Sequence, residues 1–186
     1  MSSLIGDIKN RADLLNHLVS LRAAAVYDLF GQTCLHEFFK LWHSGRADPD
    51  SLHVTLPEGR MSLRELSERL EQCGPRALVE TKRNANRFLT RNLLKEGFRI
   101  TQSFCKAHGH SAQMISEPWY QFARMLVNCL SHDFRLQFPQ DEKQLPVSYG
   151  HYVIDKSMDG RILRIPLQVL AELSDHVIDF VRMRLP

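Results

Sequence analysis

Arg124, Asn128 and His132 stand four residues apart in a segment, Trp119–His132, whose apolar pattern is helical. At roughly 100° per residue, with Trp119 at zero, they fall at roughly 140°, 180° and 220°. Phe122, Ala123, Leu126 and Leu130 fall within roughly 60° of Trp119 and form a core face. The opposite face lines up a guanidinium, an amide and an imidazole, with Gln121 and Ser131 beside them. Phosphodiester chemistry without a metal uses these groups. An imidazole takes or gives a proton near neutral pH. A guanidinium meets the negative charge that grows on a phosphoryl oxygen. Asn128 is suited to position the phosphate or a ribose hydroxyl. The same row also suits a plain solvated face, and His132 near a helix C-terminus meets the negative end of the dipole.

The stretch YQFARMLVNCLSHDFR, Tyr120 to Arg135, resembles the motif helix of the HEPN superfamily (higher eukaryotes and prokaryotes nucleotide-binding domains). That family consists of small, often dimeric α-helical bundles. Many are metal-independent endoribonucleases in toxin, phage-defence and RNA-processing systems. Their signature is an Arg, usually followed by a polar residue, then a His after four to six residues. Asn128 and His132 match the polar residue and the His. Val127 stands where the Arg belongs, and Arg124, one turn earlier on the same face, is carried over as its substitute. The resemblance extends over residues 75–186, because plasmid and phage-defence members also place a small β-element and a closing helix after the motif helix. It implies attack of a ribose 2′-hydroxyl on the adjacent phosphate, with His132 as general acid or base. It also implies an RNA substrate, no cofactor and a homodimer, with an antitoxin or other protein as a further partner. The alternative is a HEPN-like module that binds RNA or a partner and dimerises without catalysis.

Arg83, Arg87, Arg91 and Lys95 recur every four residues in KRNANRFLTRNLLK, Lys82 to Lys95. Like charges at that spacing repel, each pair costing about 0.2–0.5 kcal/mol in an isolated helix. Carboxylates such as Glu80 and Glu96 would offset this; so would an RNA backbone whose phosphates the arginines contact. Cys105, His108 and His110 are zinc-type ligands at close spacing, but no second half-motif accompanies them. No Walker-type phosphate loop, GxGxxG, HExxH or GxSxG occurs.

The positioning elements follow from the pattern. Leu14, Leu18, Leu21 and Ala25 predict a helix from about Leu4 to His43, interrupted at Gly31 and ended by Ser44-Gly45. Residues 46–60 read as a loop with an extended piece at His53–Leu56. Ser62-Leu-Arg-Glu65 is a capping box for a helix to about Gln72. Pro75 opens a helix to Lys95, weakened at Gly97, and Arg99–His108 forms another. Gly109–Ser116 is a polar connection, with Ser116 capping the Trp119 helix. A β-hairpin over 146–165, turning at Ser157–Gly160, precedes a last helix from Pro166 with Leu170, Leu173, Val177, Phe180 and Val181 inward. The expected fold is mostly α, a HEPN-like helical bundle with a small β-hairpin before the C-terminal helix. It forms one domain over 1–186, residues 1–74 being N-terminal helices and loop.

Composition narrows the classes. A chain of 186 residues, 44% hydrophobic and 24% charged, has enough apolar content for a core and is not a disordered polymer. Its net charge of +3 is too small to diagnose a nucleic-acid binder by itself. Cys34, Cys73, Cys105 and Cys129 form no CxxC pair and read as small buried hydrophobes. The start lacks a basic region followed by an apolar run, and no stretch approaches a membrane span. The reading is a cytoplasmic chain with reduced thiols.

Overall fold

The computed structural model describes residues 8–56, 59–72, 91–132, 134–139 and 142–186. The fold is mostly α, with two small two-stranded antiparallel sheets among the described residues. It divides into two compact units, residues 24–88 and residues 1–23 with 89–186. The first helix, α1 (Arg11–His43), gives residues to both. No helix among the described residues is long and apolar enough to cross a membrane.

In the unit of residues 24–88, α1 continues through Gly31, where the sequence predicts a break. A glycine inside a helix costs only about 1 kcal/mol, which the surrounding turns absorb. The helix ends as expected. Gly45 takes φ +71°, and the Arg46 N–H donates to the Leu41 carbonyl at 2.8 Å. The expected extended piece is β1 (His53–Leu56), paired with β2 (Gly59–Ser62). The capping box opens α2 (Leu63–Gln72) reciprocally: the Ser62 N–H donates to Glu65 Oε2 at 2.8 Å and the Glu65 N–H to Ser62 Oγ at 3.2 Å.

The other unit holds the large core and the candidate site. The expected helix from Pro75 lies outside the described residues except for its last turn. There Arg91–Glu96 is a π-helical turn that runs directly into α3 (Gly97–Ala107). Gly97 therefore breaks nothing. A Cβ there would meet Leu18 Cδ2 at 3.3 Å, so glycine lets α3 approach α1 closely. Leu14 and Leu18 pack against Leu94 and Phe98 in that core. Burying each such side chain contributes about 1.5–3 kcal/mol. The helix ends at Gly109, φ +77°, with the His110 N–H on the Cys105 carbonyl at 2.7 Å.

The expected polar connection contains a short helix, α4 (Ser111–Ile115). Ser116 does not cap the next helix: it closes α4, its hydroxyl donating back to the Gln113 carbonyl, and Trp119 stands at the next helix's N-cap. That next helix is α5 (Tyr120–Ser131). The hairpin precedes the C-terminal helix as expected, but it turns elsewhere. β3 (Val147–Tyr149) pairs with β4 (Tyr152–Ile154) around Gly150, φ +57°, at the first position of a two-residue loop. Asp155 accepts from the Ser157 N–H and hydroxyl, which makes Lys156–Met158 a 3₁₀ turn instead of a hairpin end. The segment expected to return to β3 bonds to the chain after α5: Leu136 N–H to the Arg161 carbonyl and Leu163 N–H to the Phe134 carbonyl. The last helix, α6 (Leu167–Met183), buries Leu170, Leu173, Val177, Phe180 and Val181. Tyr149 ties the hairpin to both helices, its ring stacked on Phe122 and its hydroxyl sharing a hydrogen bond with His176 Nε2 at 2.9 Å.

Candidate functional site

The outward face of α5 is where the periodicity places it. Phe122, Ala123, Leu126 and Leu130 are buried. Arg124 and Asn128 are partly exposed, and His132 is exposed just past the helix end. Val127, where the resemblance to the HEPN signature expects an Arg, is 6% exposed and belongs to the core. A side chain there points inward, so the guanidinium of this face comes from other positions.

Arg124 is engaged by neighbours. Its Nε donates to Gln121 Oε1 at 3.0 Å, and its Nη2 donates to Glu142 Oε2 at 3.0 Å and Gln144 Oε1 at 3.3 Å. The Glu142 side chain is only 9% exposed, against 34% for Arg124. Burial pushes the Glu142 carboxyl upward, but hydrogen bonds from Arg124 and the Gln144 N–H, with the nearby positive charges, hold it below its ordinary value. Asn128 Nδ2 donates to the Gln137 carbonyl at 2.8 Å, fastening the chain after α5 to the helix. Arg124 and His132 are eight residues apart, about 12 Å along the axis, so they do not converge on one phosphate from a single helix.

A different cation is tied to the residue before His132. Arg99, exposed on α3, donates from Nη2 to Ser131 Oγ at 3.0 Å, and that hydroxyl donates to the Val127 carbonyl. Arg135 is also exposed; its backbone N–H donates to the His132 carbonyl at 2.9 Å, and its Nη1 donates to the Gly160 carbonyl at 3.2 Å. Among the described residues neither arginine pairs with a carboxylate. The backbone is tight here. Phe134 has φ +64°, a conformation that costs a non-glycine residue about 1–2 kcal/mol. It is held by its N–H on the Cys129 carbonyl and its own carbonyl accepting from Leu163. Strained backbone next to polar side chains is a recurrent feature of functional sites.

Of the basic series, Arg83 and Arg87 lie outside the described residues. Arg91 opens the π-helical turn, and Lys95 is half-buried one turn before Arg99. The four-residue series continues in sequence from Lys95 to Arg99, which was the available signal for Arg99. What the series does not carry is the π turn.

The metal-type cluster does not assemble. Cys105 is fully buried, and His108 Nδ1 bonds to the Phe104 carbonyl while its ring stacks on Phe104 at 4.0 Å. Among the described residues no three His, Cys, Asp or Glu side chains come together as metal ligands. Burial pushes the Cys105 and Cys129 thiols up to about 11, so neither is a nucleophile at neutral pH. Cys34 differs from the expected pattern in being exposed, and Cys73 lies outside the described residues. No protein family, curated protein or solved structure matches this chain.

Proposed function

We propose that this chain is an RNA-directed, HEPN-type domain that cleaves phosphodiesters without a metal. The observation that carries the reading is the Arg99–Ser131 hydrogen bond, which ties a guanidinium from α3 to the last turn of α5, at the residue that precedes the exposed His132. In this reading His132 takes the proton of a ribose 2′-hydroxyl. The 2′-oxygen bonds to phosphorus and the bond to the 5′-oxygen breaks. The products are a 2′,3′-cyclic phosphate and a 5′-hydroxyl, whose proton comes from a second copy of His132 across a twofold axis. Arg99 and Arg135 take the charge-stabilising role assigned from sequence to Arg124. Arg83, Arg87, Arg91 and Lys95 belong to the same proposal as contacts for the RNA backbone.

A second reading, a HEPN-like module that binds RNA or a protein partner without cutting, is favoured by two specific observations. Arg124 is neutralised by Glu142, and Val127 is buried where the signature Arg belongs. Total RNA incubated with the protein in excess EDTA separates the two. Cleavage that falls by about 10²–10⁴-fold in His132→Ala, at unchanged fold, supports the enzyme. Intact RNA with measurable binding supports the module. Cleavage that persists in His132→Ala removes the proposed role.

A further inference from the structure

Two recesses in the unit of residues 1–23 and 89–186 meet at Ile115 and Tyr120. One, of about 450 Å³, lies between α3 and the α4–α5 connection and has Gln102 and Lys106 on its wall. The other, of about 430 Å³, is more open and runs past Arg124 to Lys143 and Gln144. We infer that together they form a trough for an extended single strand of RNA, leading along the outward face of α5 toward His132. This rests on the RNA-directed reading above and adds the path of the strand.

Charge is the first argument. The trough is lined by Lys106, Arg124 and Lys143 against one carboxylate, Glu142, which Arg124 already engages. Among the described residues neither Lys106 nor Lys143 has a carboxylate partner. An excess of exposed ammonium groups favours a polyanion over a neutral or basic ligand.

Hydrogen-bonding character is the second. Gln102 Nε2 donates to the Tyr120 hydroxyl oxygen at 3.0 Å. This leaves Gln102 Oε1 as an acceptor and the Tyr120 O–H as a donor, side by side. Gln144 adds another amide at the far end. Paired donors and acceptors suit the exposed edges of unpaired bases, which a duplex conceals. The apolar contact is Ile115, half of whose surface is open at the junction.

Continuity is the third. Tyr120, Arg124, Asn128 and His132 succeed one another along α5. The distance from Tyr120 to His132 is about 18 Å along the axis. A strand seated in the trough therefore needs several nucleotides before its phosphate reaches His132.

The test measures the salt dependence of binding of oligouridylate of about twelve nucleotides, by full-length protein and by K106Q/K143Q. The double variant is expected to bind about tenfold more weakly near 0.15 M salt, with a log–log slope shallower by about 1.4, or 0.7 for each lost single-strand contact. K40Q, which removes an exposed charge from the unit of residues 24–88, is the control for net charge and should leave the slope alone. A dinucleotide should be insensitive to the double substitution. RNA binding with an unchanged slope in the double variant overturns the trough and leaves the RNA-directed reading standing. No RNA binding by the unaltered protein defeats that reading and the trough with it. Equal affinity for a polyglutamate peptide assigns the surface to acidic polypeptides and also overturns the trough.

Discussion

The Arg124 guanidinium donates to the Glu142 carboxylate at 3.0 Å and is held on its other side by Gln121, so the most prominent cation on the outward face of α5 is already committed within the chain. The pair joins α5 to the segment after it. With Glu142 largely buried, we assign it about 1 kcal/mol, the upper end for partly exposed pairs. Arg124→Gln should therefore lower Tm by about 2–4 °C. The pH dependence has a definite sign. The folded-state carboxyl of Glu142 sits below its ordinary value, so its contribution is present above the ordinary carboxylate range and is lost as pH falls through the folded value. Glu142→Gln should lose that acid-side slope and, by freeing Arg124, strengthen polyanion binding. Thermal melts from neutral pH downward check the first effect, and a salt titration of RNA binding checks the second.

Two glycines that the sequence reads alike as helix interruptions should respond in opposite ways. Gly31 lies inside α1 with nothing within 4 Å of where a Cβ would stand, so Gly31→Ala should stabilise by about 0.5–1 kcal/mol through reduced chain entropy. Gly97 has Leu18 Cδ2 at 3.3 Å from that position. Gly97→Leu adds a branched side chain at the closest approach of α3 to α1 and should destabilise by about 1–3 kcal/mol. Urea denaturation of the two variants checks the contrast.

The contrast between these glycines shows what the sequence carries. Periodicity reports which residues share a face, and it placed Phe122, Leu126 and Leu130 inward and Arg124, Asn128 and His132 outward on α5. Capping is local too, and Ser62 and Glu65 bond as their spacing implies. Partners that lie far along the chain are another matter. The Arg99–Ser131 bond joins residues 32 positions apart, and the Arg124–Glu142 pair joins residues 18 apart. Neither α5 nor α3 names its partner. The hairpin turn was misplaced for a similar reason. Ser157–Gly160 has turn-forming residues, but Asp155 captures the Ser157 N–H, and residues 161–163 find hydrogen bonds at 134–136. Local composition ranks turns; long-range pairing chooses among them.

The cysteines give a prediction about accessibility and alkaline stability. In a Cys73→Ser background Cys34 should react promptly with a thiol reagent, while Cys105 and Cys129 should react only on unfolding. Burial raises both buried thiols to about 11 from an ordinary value near 9.0. The folded state therefore holds these protons more tightly than the unfolded one. Stability should be unaffected by these groups below about pH 9 and should fall as pH rises from there toward 11. Cys105→Ala together with Cys129→Ala should flatten that decline. An equally steep decline in the double variant would place its origin elsewhere.

Assembly is the most demanding prediction. From one helix, Arg124 and His132 are too far apart along the axis to grip the same phosphate, and Arg124 is engaged by Glu142. A complete site for in-line cleavage needs a base for the 2′-hydroxyl and an acid for the leaving 5′-oxygen, and each copy of this chain offers one exposed imidazole at this place. A twofold interface is self-complementary, so it brings the same patch against itself. Placing the axis near His132 would face two imidazoles across one cleft, with two copies of Arg99 and Arg135 around them. The charges of that cleft also set its behaviour. Four guanidiniums approaching one another repel in the absence of an anion, so dimerisation should tighten with added RNA or polyphosphate and weaken at low salt without them. Sedimentation velocity at micromolar concentration, with and without a non-cleavable oligonucleotide, measures this. Mixing Arg99→Gln with His132→Ala protomers supplies the sharper reading. In a shared cleft the mixed dimer carries one intact imidazole and one intact Arg99 from different chains, so its activity should differ from the average of the two homodimers. A monomer at every concentration, or mixed activity equal to that average, would place the chemistry of His132 within a single chain.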